Sequence, residues 1–292
     1  MLYAGLAALG AAIAALIGNW IILRAALKPP RTPLFLTPLD LDLPYIDVRF
    51  GKEIELAGWW IPADNAVGTV VLCHGYFMNR SEPLVVAKRL WPLGFNCLTF
   101  DFRACGKSGG DLCSLGYHES NDVTAAVDEA ERRTPGLPII AFGASMGAVA
   151  SIFAASRDRR IAAIVADSPY ARLSDAVDDW WKGSVGPLAM WLLKPAKLVG
   201  ILMTKVSPYS VRPDMAVQAI DRPILLLHGE RDRLIPAHHS RRIYAVANEP
   251  KEALFFEQSD HVQARFDHPE RYYQALTSFV QSVVKREAGC EV

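Results

Sequence analysis

The sequence predicts an α/β protein with a mostly parallel central sheet, helices on both faces, a helical cap inserted late in the chain and one transmembrane helix in front. Three observations predict it. From about residue 46 onward, short continuous apolar runs alternate with helical patterns, as in a parallel sheet covered on both sides. One long stretch, 171–218, interrupts the alternation. Residues 1–23 contain no charged side chain.

The leading segment reads MLYAGLAALGAAIAALIGNWIIL. At ~1.5 Å per residue a helix of that length covers about 34 Å, enough for a hydrocarbon core of ~30 Å. Tyr3 and Trp20 sit near its ends, where amphipathic aromatics prefer the interface. Arg24, Lys28 and Arg31 follow, and Pro29, Pro30 and Pro33 stop the helix. A secretory signal would open with a positive region, and a buried core helix would show a polar stripe. The expectation is a single membrane anchor at 1–23, a linker at 24–45 and one catalytic domain at 46–292. The positive flank assigns that domain to the cytoplasm.

Strands are expected at 46–50 and 53–61, with a turn between them, then at 69–73, 95–102, 138–142, 161–166, 223–227 and 253–256. Helices are expected at 82–91, 118–133, 146–156, 237–247 and 269–285. The stretch 171–218 is too long for a simple crossover. It holds Trp180, Trp181, Met190, Trp191, Met203 and many leucines, divided by Pro187, Pro195, Pro208 and Pro213. It reads as a helical cap over the strand ends, with apolar residues that line an acyl pocket or simply pack the cap onto the body.

Composition narrows the function classes. The 292 residues are 51 % hydrophobic and 21 % charged, which excludes a disordered chain. Thirty-one basic residues balance 31 acidic ones, so the footprint of a nucleic-acid partner is missing. The 5 cysteines form no C-x-x-C pair. An odd count in a long chain argues against a disulfide scaffold and a zinc cage, and fits a reducing compartment.

Sites in such sheets form at the carboxyl ends of the strands. There, residues 143–147 read GASMG, a G-x-S-x-G pattern between a strand and a helix. The pattern sets a serine on a sharp strand-to-helix turn, which makes Ser145 the candidate nucleophile. Residues 106–110, GKSGG, match the same pattern, but three residues separate them from the strand and no convincing helix follows. Ser108 therefore reads as part of a glycine-rich loop.

A serine hydroxyl needs a base, and the base an orienting acid. Asp232 follows the strand at 223–227 and is the candidate acid, with Glu230 in reserve. His261 lies on the loop after the last strand and is the candidate base. His74 and His228 sit at strand ends beside glycines, where a turn role suits them; His118, His238, His239 and His268 lie at helix starts. The order Ser145, Asp232, His261 is the one this elbow takes. Backbone N–H groups of Tyr76, after His74-Gly75, and of Met146, directly after the nucleophile, are the candidate oxyanion donors.

With VVLCHGY (70–76), FDFRACGKSGG (100–110), GASMG (143–147), LLLHGERDRLIP (225–236) and SDHVQA (259–264), the chain resembles the α/β-hydrolase superfamily over about residues 46–285. It is similar to membrane-tethered hydrolases of the lysophospholipase-like and serine-aminopeptidase-like branches. The resemblance implies the same roles for Ser145, Asp232 and His261, and an oxyanion donor after His74-Gly75. One departure is Ala104, where many relatives carry glycine.

The expected activity is serine hydrolysis of an acyl ester through an acyl-enzyme, of carboxylesterase or lysophospholipase-like type, on a small or lipid-like acyl substrate. The mechanism requires no metal or organic cofactor. The alternatives are a thioesterase, an acyltransferase or an aminopeptidase with the same triad, and a non-catalytic membrane-held binding protein. Asp175, Asp178 and Asp179 are the acids that could hold a free amino terminus, or they form a solvated helix face.

Overall fold

The structure is a computed structural model that describes residues 2–184 and 195–289, the side chains at 2, 4, 5, 7, 8, 11, 12, 183 and 184 excepted. Pro187, Met190 and Trp191 of the expected cap, together with Cys290, lie outside the described residues.

Eight strands form one sheet in the order β1-β2-β4-β3-β5-β6-β7-β8. They are β1 (Ile46–Phe50), β2 (Leu56–Ile61), β3 (Gly68–Cys73), β4 (Phe95–Phe100), β5 (Ile139–Ala144), β6 (Ile161–Asp167), β7 (Ile224–Gly229) and β8 (Lys251–Phe256). β1 and β2 pair antiparallel, β2 runs antiparallel to β4, and every later pairing is parallel. The inner strands β2 to β7 are buried along their whole length. That follows from their sequences, which are apolar without alternation because helices cover both faces.

The helices are α1 (Leu2–Leu27), α2 (Leu84–Leu90), α3 (Glu119–Arg133), α4 (Met146–Ala155), α5 (Leu173–Ser184), α6 (Ala196–Thr204), α7 (Pro213–Ala216), α8 (His238–Val246), α9 (Ala264–Asp267) and α10 (Pro269–Glu287). One core cluster joins Val71, Phe100 and Ala141 of the sheet to Val123 and Val127 of α3 and Ile152 of α4. On the opposite face a second cluster joins Val70, Leu72 and Ile140 to Leu84 and Leu90 of α2 and Tyr272 and Leu276 of α10. Thus adjacent residues of one strand serve opposite layers, as the two-residue period requires. Several expected boundaries move by one to three residues, two of them next to the turns that matter here. β2 starts at Leu56, since the chain first turns at Gly51, and β5 runs on to Ala144, directly beneath Ser145.

Helices α5, α6 and α7 occupy the described part of the insertion between β6 and β7. Leu173 and Ala176 of α5 and Val206 and Val211 beyond α6 bury against Val149 of α4.

Among the described residues no helix is long and apolar enough to cross a membrane. The transmembrane span expected over 1–23 is thus not supported by the described residues. The uncharged run forms α1, which continues past Arg24 to Leu27 and packs against α6. Asn19 and Leu27 are buried, and the Asn19 amide donates to the Ala15 carbonyl at 2.9 Å. The same apolar side chains that suit a bilayer also suit protein packing, and the sequence run alone does not separate the two. After α1 the chain is stitched to the body: Arg31 donates to the Gly106 and Gly110 carbonyls at 2.9 and 3.1 Å, and Asn79 donates to the Pro33 carbonyl at 3.0 Å.

Candidate active site

Ser145 sits between β5 and α4 with φ 52° and ψ −115°, far from the ordinary regions for an L-residue. The turn is held by the Ser145 N–H, which donates to the Asp167 carbonyl at 2.7 Å. It is also held by what Gly147 lacks: a Cβ there would lie 2.4 Å from the Cys73 carbonyl oxygen and 2.6 Å from that of His74. The start of α4 therefore presses directly on the end of β3. Ser145 remains partly exposed at the rim.

The loops after β7 and β8 bring the other two candidates to it. Gly229 permits their approach, since a Cβ there would meet the Ser259 carbonyl oxygen at 2.4 Å. The Ser145 Oγ lies 2.9 Å from His261 Nε2, and His261 Nδ1 lies 2.6 Å from Asp232 Oδ2. With Nδ1–H donating to the carboxylate, Nε2 is the free acceptor for the serine hydroxyl. The structure thus brings Ser145, His261 and Asp232 into one chain of hydrogen bonds. Glu230, the reserve acid, is turned away and pairs with Arg241.

Asp232 is buried and ionised. Burial opposes its charge, but hydrogen bonds from His228 and His261 and from the Ile235 amide outweigh that and hold its pKa down to about 2. Its Oδ1 accepts the N–H groups of Leu234 and Ile235 at 2.9 and 2.7 Å. His228 adds a contact that sequence reasoning treated as a turn. Its Nε2 lies 2.8 Å from the Ile235 carbonyl and 3.2 Å from Asp232 Oδ2.

Gly75 lies against Ser145: a Cβ built on it would be 3.6 Å from Ser145 Cβ. Tyr76 follows it, and Met146 is the first residue of α4, where an N–H has no intrahelical acceptor. Two residues missed by sequence reasoning fix this loop. Glu82 Oε2 accepts the Gly75 N–H at 2.7 Å, and its Oε1 accepts from Arg265 Nη2 at 2.9 Å. Arg265 is buried and also lies 3.8 Å from Asp167 Oδ2. No sequence signal marks this pair, because 183 positions separate its members.

Ser108 of the second G-x-S-x-G match is buried. Its hydroxyl accepts the Ala57 N–H at 2.9 Å and donates to the Asp101 carbonyl. His74 is equally committed, donating from Nδ1 to the Gly75 carbonyl at 2.7 Å and accepting the Phe102 N–H on Nε2 at 3.0 Å.

Among the described residues one other cluster has metal-ligand types: Asp179, His238 and His239 present ligand atoms within 4.8 Å of one another. Its chemistry does not fit a metal. The Ala171 N–H donates to His239 Nδ1 at 3.1 Å, so the neutral ring keeps its proton on Nε2. That is the atom facing Asp179 at 3.4 Å, and a protonated nitrogen has no lone pair to give.

Residues 64–219 match the model of the serine aminopeptidase S33 family. The chain belongs to this family. The family's fold, that of the α/β-hydrolases, is shared by the Pyrococcus furiosus esterase Pf2001, which superposes with a TM-score of 0.74 at 28 % identity over 88 % of this chain and 97 % of the esterase. Among similar sequences, uncharacterized protein YfhR of Escherichia coli K12 is 29 % identical over 79 % of this chain and 78 % of its own. Uncharacterized protein YqkD of Bacillus subtilis 168 is 26 % identical over 82 % and 78 %.

Proposed function

We propose that this family member hydrolyses acyl esters through an acyl-enzyme, with Ser145 as nucleophile, His261 as base and Asp232 as the orienting acid. The observation that supports it most is the pair of contacts at His261, 2.9 Å to the Ser145 hydroxyl and 2.6 Å to Asp232. As Ser145 Oγ attacks the acyl carbonyl, its proton passes to His261 Nε2. The ionised Asp232 stabilises the imidazolium. The amides of Tyr76 and Met146 stabilise the oxyanion, a contribution of ~3 kcal/mol for each such donor in comparable sites. His261 then returns the proton to the leaving alkoxide, and a water activated by the same nitrogen cleaves the acyl-enzyme.

An aminopeptidase is the second reading, favoured by the family's description. It needs a free acid near the site to hold an ammonium group. The three cap aspartates are already engaged: Asp175 with Arg242 at 3.1 Å, Asp178 with Lys197 at 2.8 Å, and Asp179 with Lys182 at 3.4 Å. This favours the ester. Attachment to a lipid surface through the exposed apolar residues of α1, Leu6, Leu9, Ile13 and Ile17 among them, belongs to the same reading.

The test is labelling of the full-length protein with a fluorophosphonate probe, alongside kinetics on acyl esters, thioesters and aminoacyl amides. Ser145→Ala is expected to abolish labelling and lower ester turnover at least ~10⁴-fold, whereas Ser108→Ala keeps the label. Labelling that survives Ser145→Ala and vanishes in Ser108→Ala would transfer the nucleophile role. Preference for aminoacyl amides would select the aminopeptidase.

A further inference from the structure

An apolar cleft of about 90 Å³ lies between α1 and the cap. Leu23 and Leu27 of α1 form one wall, Leu173 and Trp181 of α5 and Gly200 of α6 form the others, and Leu115 closes the end toward the sheet. At Gly200 the helices do not interlock. Among the described residues a Cβ built there would have the Leu23 Cδ1 alone for a neighbour, at 4.0 Å, so α1 and α6 leave a slot.

Three contacts tie the cleft to the residues of the candidate oxyanion hole. The Tyr76 hydroxyl donates to the carbonyl of Ala26, the residue before Leu27. The Cys113 sulfur lies 3.2 Å from the Met146 sulfur, and the Cys113 N–H donates to the Leu27 carbonyl at 2.7 Å. Ser114 and Leu115, which follow Cys113 directly, line the cleft. Leu115 packs both on the core cluster that holds Met146 and on the cap cluster that holds Leu173. These contacts connect the lining to Tyr76 and Met146, the residues whose amides flank Ser145 in the candidate site. The cation on its lining, Lys197, is occupied by Asp178 at 2.8 Å, so an uncharged chain end suits it.

We propose that the cleft is the acyl-chain subsite, and that the N-terminal helix forms a wall of it beside the cap. The ligand is the unbranched, uncharged alkyl part of the acyl group. The inference rests on the ester-hydrolase reading, which the turnover of a short ester tests separately.

The experiment compares kcat/KM of the full-length protein on p-nitrophenyl acetate and octanoate, with the intermediate chain lengths between them. For the native chain, kcat/KM should rise by about fourfold for each methylene that enters the cleft, until the cleft is full. Gly200→Leu fills the slot from α6, and Leu23→Trp fills it from α1. Each should lower the octanoate-to-acetate ratio at least tenfold. A ratio unchanged in both variants overturns the proposal, as does a ratio unchanged in Leu23→Trp should Gly200→Leu fail to fold. If the native chain turns over neither ester, the ester reading itself fails, whatever the variants do.

Discussion

Ser145 and Ala104 both occupy the left-handed half of backbone space, with φ of 52° and 62°. At Ser145 the conformation projects the hydroxyl to the rim, and the surrounding turn holds it there by packing β3 on α4. Ala104 gains nothing comparable. It is buried in the loop after β4, and its N–H simply donates to the Gly109 carbonyl at 2.7 Å. Ala104→Gly is therefore expected to stabilise the protein by about 1 kcal/mol, read as a higher denaturation midpoint with an unchanged slope. Asp232 works in the other direction. Its pKa of about 2 keeps it ionised throughout the range in which a histidine titrates. The stability from its hydrogen bonds is complete above its unfolded pKa of ~4 and is lost only as pH falls toward 2.

The elements that carry the site are joined by an ion pair that neither strand pairing nor helix packing supplies. Glu82 stands just before α2 and Arg265 lies in α9, so the pair links the loop after β3 to the loop that bears His261. Glu82→Gln puts an amide N–H₂ against the guanidinium or against the Gly75 N–H. Either choice displaces the oxyanion loop, and kcat should fall about tenfold or more with KM little changed. Arg265→Met takes the buried guanidinium from the half-buried Glu82 and from the buried Asp167, and should cost about 3 kcal/mol in stability, measured by denaturant unfolding. The strands and helices themselves were legible, because buried apolar runs and amphipathic spacing are local patterns. Ser145 was legible through its strand–turn–helix setting, and Asp232 and His261 through their order and their places after strands. Glu82, Arg265 and the contact of His228 with Asp232 were not, because each depends on a long-range approach that leaves no periodic trace.

Across the whole molecule, the cap is held to the body by a titratable contact. His239 of α8 is buried beneath α5, with Asp179 and Asp175 of α5 and His238 and His228 around it. Burial, reinforced by His238 and opposed by the aspartates, lowers its pKa to about 4. A lowered histidine pKa means that the folded state favours the neutral ring. The resulting stability is complete above the unfolded value of ~6.5 and is lost as pH falls toward 4. His239→Asn keeps an acceptor for the Ala171 N–H and removes the titration. The loss of unfolding free energy between pH 7 and 4, roughly 3 kcal/mol at most for this group, should flatten in that variant.

By itself the sequence determined the α/β class, the strand–turn–helix setting of Ser145 and the candidates Asp232 and His261, because each is written in neighbouring residues or in chain order. It left two things to the tertiary structure. One was the course of the N-terminal helix, which an uncharged run makes fit for lipid and for protein alike; only its packing against α6 and the hydrogen bonds at Ala26 and Leu27 decided that its end joins the site. The other was the choice between two serines with the same local motif. Burial and two hydrogen bonds take Ser108 out of reach, while Ser145 is left 2.9 Å from an imidazole that is 116 positions away along the chain.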